Sequence, residues 1–166
     1  MSALTTPEPE QGKFRQNELK WTPTLMKTGW TVLPSIILES QQALGLDATD
    51  VNIILHLARH WWSSDNLPFP SKRTIAVCMG VHPSTVQRRI RAMEVAGLLE
   101  RVERRNPTQG QQSNCYDLSG LIETATPLAK DALTKREKRR MEDAAKRAPQ
   151  AKPGRTNPNL KVVSKQ

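Results

Sequence analysis

Apolar positions along this chain change their spacing several times, and each change marks an element. Over 47–62, Val51, Ile54, Leu55, Ala58, Trp61 and Trp62 recur at helical spacing. That pattern predicts an amphipathic helix, with Asp47 as N-cap and Asp50 beside the positive helix end. Two adjacent tryptophans cannot share one helical face, so one is expected to pack inward while the other covers the linker or a partner. Next, Ile75, Ala76 and Met79 predict a short helix that starts at Ser71 and stops at Gly80. His82-Pro83 restarts a helix with proline at N1. Over 83–96, Val86, Ile90 and Met93 fall at i, i+4 and i+7 and form one buried stripe. Gly97 ends it, and Leu98-Leu99 turn back into the core. The period then shortens. Segments 99–105 and 114–119 read as the arms of a hairpin, with Val102, Tyr116 and Leu118 sharing a face and NPTQGQQS as a polar tip.

The flanks are less strongly patterned. Residues 1–28 are polar and punctuated by proline, and read as a disordered N-terminal arm in which Trp21, Leu25 and Met26 could pack back. The run WTVL ends at Pro34 and reads as a short edge strand. Residues 34–44 predict a moderately amphipathic helix stopped by Gly45, with Leu46 as the apolar contact after it. Residues 63–70 form a loop with two prolines. Beyond 120, a helix is expected from Thr126-Pro127 towards Arg147, ringed by charge, with no lasting heptad seam. The expected fold class is mainly α with a small β-hairpin. One domain covers 29–121, a charged helical extension 122–147, and a disordered basic tail 148–166.

Charge narrows the choice of partner. The net charge is +9 over 166 residues. Residues 29–70 carry one basic and four acidic side chains, whereas 71–119 carry eight and four, and 120–166 twelve and five. Positive charge therefore gathers on the two-helix unit and the C-terminal segment, which favours a polyanion. Two cysteines, Cys78 and Cys115, make no disulfide framework and have no zinc spacing. His56 and His60 are one turn apart, but no third ligand or metalloprotease glutamate accompanies them. No metal and no cofactor are expected. No phosphate-binding glycine loop, nucleophile elbow or paired carboxylates appear, so the chain does not read as an enzyme. Aromatic content of 4% offers no base-stacking platform for RNA or single strands. No run approaches the ~18 apolar residues of a membrane span, and the first twelve residues are no secretory signal. A cytoplasmic protein, nucleoid-associated when bound, is expected.

The stretch SKRTIAVCMGVHPSTVQRRIRAMEVAGLLERV (71–102) resembles the winged helix-turn-helix superfamily. Together with GWTVLPSIIL, GLDATDVNIILHLARHWW, PFPSKRTIA and QGQQSNCYDLSGL, it is similar to the small helix-turn-helix proteins of bacterial plasmids, prophages and integrating elements. Some of these are related to replication-initiator winged helices. The resemblance covers 29–121 and implies a partner of double-stranded DNA. It makes 83–96 the recognition helix, with Ser84 and Thr85 at phosphates or base edges and Gln87, Arg88 and Arg91 reaching bases. Lys72 and Arg73 would hold phosphates. His82 stands where the family often has Ser or Thr. The hairpin would be a wing, with Arg104, Arg105, Gln109 and Gln111 at the backbone or minor groove. The bland reading treats Arg88, Arg89 and Arg91 as a solvated face.

A regulator of transcription is the first expectation. Replication initiation or partition for a mobile element, and a protein-interaction adaptor, remain as alternatives. One winged helix covers a half-site, so a homodimer is compatible with the sequence. The C-terminal extension reads as a solubilising tail, a DNA clamp or the seat of a protein partner.

Overall fold

The computed structural model describes residues 16–106, 110–111 and 113–147. After a helical stretch over 16–21 comes α1 (Pro23–Lys27), which starts because Thr22 Oγ1 accepts the Leu25 amide at 3.4 Å and Pro23 fits the first turn. Met26 is buried, while Trp21 and Leu25 stay exposed. The reading of 1–28 as a disordered arm is thus corrected for 16–28, where a capped turn and a buried methionine supply order; residues 1–15 lie outside the described residues. The edge strand expected over 30–33 is absent, since nothing pairs with that backbone in either described ladder. Leu33 instead packs against the core.

Helix α2 (Ser35–Glu39) is shorter than the expected 34–44, and Pro34 is its N-cap rather than N1. Turns follow it. The Leu46 amide bonds Gln41 O at 3.0 Å and that of Gly45 bonds Gln42 O at 3.1 Å, so the chain is already reversing. Leu46 is buried after the glycine, as the pattern implied. Helix α3 (Ala48–Arg59) opens with a reciprocal capping box: Asp47 Oδ1 accepts the Asp50 amide, and Asp50 Oδ2 accepts that of Asp47, both at 2.9 Å. It ends before both tryptophans. Trp61 packs against the core and Trp62 is 84% exposed. The buried side of α3 is Val51, Ile53, Ile54 and Leu57, rotated from the expected stripe because two further helices pack on it.

Those helices are α4 (Lys72–Met79) and α5 (Pro83–Val95). Between them Gly80 adopts φ +67°, and the Val81 amide reaches back to Ala76 O at 3.0 Å. This closure needs a left-handed residue, which glycine supplies without a Cβ penalty. Val86, Ile90 and Met93 are buried, as their spacing predicts. Each such side chain is worth roughly 1.5–3 kcal/mol of transfer free energy, so this stripe is what holds α5 to the domain.

After α5, β1 (Glu100–Val102) pairs antiparallel with β4 (Cys115–Asp117). Further out, β2 (Arg105–Asn106) pairs with β3 (Gly110–Gln111). The register sets Arg101 opposite Tyr116 and Val102 opposite Cys115. Val102 therefore does not share a face with Tyr116 and Leu118, because opposed residues point the same way; it is 39% exposed while they are buried. The Tyr116 amide also bonds Pro68 O at 2.9 Å, which fastens the proline loop to the hairpin.

Helix α6 (Ser119–Arg147) begins earlier than expected, with Pro127 inside it. Asp117 Oδ1 accepts the Ser119 amide at 2.8 Å. Leu121 and Ala125 are buried and Leu128 packs against the core. This i, i+4, i+7 set spans Pro127, and its first two members anchor the helix upstream of the proline, which therefore does not mark its start. The described residues up to Ala129 form one compact unit, and those from Lys130 to Arg147 belong to a second.

Candidate nucleic-acid interface

The side chains of α5 divide by what they touch. Arg89 runs back to α3. Its Nε donates to Asp50 Oδ1 at 2.8 Å, its Nη2 to Asp50 Oδ2, and Nη2 also lies 2.9 Å from Asp47 Oδ2. Asp50 is 1% exposed, so its charge is compensated by this guanidinium together with the Asp47 amide. Burial pushes the Asp47 carboxyl up, but the Asp50 amide and the Arg89 charge outweigh it and hold it below the usual range. On the next side Glu94 accepts Arg101 Nε at 2.8 and 2.9 Å, and Arg101 Nη2 lies 2.6 Å away. This hydrogen-bonded ion pair lowers the Glu94 carboxyl below its ordinary range. One arginine therefore ties α5 to the scaffold, and another ties β1 to α5.

What remains on α5 is an outward stripe. Ser84, Gln87, Arg88 and Arg91 are exposed, and among the described residues neither Arg88 nor Arg91 has a salt-bridge partner. Gln87 Oε1 accepts Lys72 Nζ at 3.3 Å, which links the start of α4 to this stripe. Arg73 is exposed beside Lys72. Thr85 is half-buried. Val95, one turn beyond Arg91, is 85% exposed on the same side, and the i, i+4, i+7, i+11 spacing of Ser84, Arg88, Arg91 and Val95 was the signal for it. Guanidiniums suit guanine edges, Gln suits adenine, and a valine suits a thymine methyl.

His82 caps α5. Its Nδ1 accepts the Ser84 amide at 3.3 Å and lies 2.7 Å from Ser84 Oγ. Accepting that amide requires an unprotonated Nδ1, so in the neutral ring the proton sits on Nε2. An imidazole thus takes the place of the usual hydroxyl cap.

In the hairpin, the Arg104 guanidinium lies over the Phe69 ring, 4.4 Å from its centroid. Phe69 belongs to the loop fastened to β4, so this stack positions the arginine; the sequence offered no cue to the pairing. Arg105 and Gln111 are register partners in the outer ladder. Gln109 lies outside the described residues. Among the described residues no cluster of three potential metal ligands occurs, around His56 and His60 or elsewhere. No described helix is long and apolar enough to cross a membrane.

Three helices with a tight α4–α5 turn, followed by an antiparallel hairpin, define a winged helix-turn-helix. Residues 44–99, about a third of the chain, match the family model described as a helix-turn-helix domain, which supports DNA binding. No curated protein sequence matches the chain. Similar solved structures include the N-terminal domain of DnaD protein from Geobacillus kaustophilus HTA426, with 20% identity, a TM-score of 0.49, and coverage of 74% of this chain and 96% of that one. YusO protein from Bacillus subtilis has 15% identity and a TM-score of 0.37, covering 85% and 93%. The transcriptional regulator PA3341 has 20% identity and a TM-score of 0.36, covering 82% and 93%.

Proposed function

We propose that this chain binds double-stranded DNA at particular sequences and regulates transcription from a bacterial chromosome or mobile element. The observation that carries the reading is the division of labour on α5. Arg89 and Glu94 hold the helix and the wing in place, while Ser84, Gln87, Arg88 and Arg91 face outward and neither of those arginines has a salt-bridge partner among the described residues. A solvated face needs no such rigid mounting, whereas base readout requires side chains to start from a fixed helix. In this reading α5 enters the major groove. Lys72, Arg73, His82, Ser84 and Thr85 contact the backbone or base edges near its start. Arg104, Arg105, Gln109 and Gln111 serve the wing at the backbone or minor groove.

Selection from a randomised duplex library tests this. The parent chain should enrich one motif, and Arg91→Ala should relax one position of it, at a cost of about 1–3 kcal/mol. Enrichment of no motif refutes sequence-specific binding. Genome-wide mapping then separates the processes: sites overlapping promoters support regulation, and direct repeats beside an AT-rich region support replication initiation instead.

A further inference from the structure

The C-terminal part of α6, from Lys130, carries a cationic surface of its own. Every residue from Lys130 to Arg147 except Ala132 is exposed, so apolar packing does not explain this segment. Its charges are sorted. With about 100° of turn per residue, Lys135, Arg136, Arg139, Arg140, Lys146 and Arg147 fall within an arc of roughly 140°, which Asp143 alone of the acidic residues shares. Lys130, Leu133, Glu137, Met141 and Ala144 lie on the remaining surface. Among the described residues none of Arg136, Arg139, Arg140 and Arg147 has a salt-bridge partner, whereas Arg89 and Arg101 both hold carboxylates and Arg104 covers a ring. Along the axis Arg136 and Arg140 are about 6 Å apart, and Arg140 and Arg147 about 10 Å. A duplex presents one phosphate charge per ~1.7 Å of its axis, so a groove edge offers a partner at each of these spacings.

We propose that this arginine face of α6 is a second, sequence-independent contact to the phosphate backbone of duplex DNA. The inference rests on the proposed DNA-binding function and adds a surface separate from the α5 stripe. Unpaired guanidiniums on one side of a helix match a polyanion, and the absence of a continuous apolar seam disfavours a partner helix. Each phosphate neutralised releases condensed counterions, so the face should act through affinity and salt dependence and leave the preferred sequence unaltered.

The test uses the full chain with Arg136, Arg140 and Arg147 all changed to Gln, and a companion with all three changed to Lys. Binding to the selected duplex and to a scrambled duplex is titrated across salt concentrations, with helix content checked by circular dichroism. In the Gln variant the slope of log affinity against log salt should flatten by about two to three, since each lost contact removes about 0.9. Both duplexes should weaken by the same factor, the selected motif should persist, and the Lys companion should retain most of the parental slope. An unchanged slope in the Gln variant with its helix intact overturns the inference and leaves the α5 reading standing. A change of motif overturns it too, because the face would then read bases. If the parent binds no duplex at all, the proposed function and this contact fall together.

Discussion

Removing the Arg89 side chain should destabilise the domain without touching the outward stripe of α5. Arg89→Ala leaves Asp50, which is 1% exposed, with the Asp47 amide at 2.9 Å as its remaining described polar partner. Breaking a buried ion pair from one side typically costs about 3–5 kcal/mol. Two features reduce that figure here: the arginine side chain is 26% exposed, so water partly replaces it, and the capping-box bond survives. A loss of about 2–3 kcal/mol is therefore expected, a large part of the ~5–15 kcal/mol that holds an ordinary domain. Urea denaturation of Arg89→Ala, Asp50→Asn and the double variant supplies a mutant cycle. Asparagine can still accept the Asp47 amide and brings no charge, so the double variant should lose less than the sum of the single losses. Strict additivity, or a loss under about 0.5 kcal/mol for Arg89→Ala, would refute the argument that this pair mounts the helix. At temperatures where it remains folded, Arg89→Ala should select the same DNA motif as the parent. A changed motif would mean that Arg89 itself reads DNA.

Gly120→Ala should destabilise the domain even though alanine is the better helix former by about 1 kcal/mol. A Cβ there would fall well inside contact with Gly97 O and 3.0 Å from its carbonyl carbon, both backbone atoms that cannot swing aside. A net loss of at least about 2 kcal/mol by denaturant titration is expected, and unchanged or raised stability would show that the two turns are not in contact. Acid should also weaken the fold. Asp47 and Glu94 both have lowered folded-state values, so their contribution is present above the ordinary carboxylate range and is lost as pH falls through that range and below it. Melting temperature followed from pH 6 downward should drop over roughly pH 5–3, and Glu94→Gln should shallow that drop; an identical pH profile would dismiss the Glu94–Arg101 contribution.

The parts legible in the sequence are those written in local terms. Ser71, Gly80, His82-Pro83 and Gly97 punctuate α4 and α5, and Val86, Ile90 and Met93 show the inner face of α5. Helix α6 runs to Arg147 as expected, but its start is not legible, because Pro127 is a local signal whereas the anchoring of Leu121, Ala125 and Leu128 is tertiary. The expected 30–33 strand fails for a related reason: β-propensity describes a residue's fit to a sheet, and no described strand lies alongside. Within the site, Gln87, Arg88 and Arg91 were separable from the inner stripe by period alone. Which neighbouring arginine serves the fold was not, because Arg89 meets Asp50 across 39 positions of sequence. Likewise, the Arg104–Phe69 stack joins two loops that share no pattern.

The bond from the Leu121 amide to Leu98 O, at 2.9 Å, has a consequence for how such a hairpin can change. It pins the two feet of residues 99–120 together, and with Tyr116 and Leu118 buried the base of the hairpin belongs to the core while its outer ladder starts and ends at that base. Lengthening such an excursion costs little, because the entropy of closing a loop grows only with the logarithm of its length, about 0.6 kcal/mol per doubling. Residues inserted near the tip would leave Leu98, Leu99 and Leu121 in place. Hairpin length can therefore drift through insertion and deletion almost independently of core stability, and a designer could extend its reach along a duplex without redesigning the helices beneath.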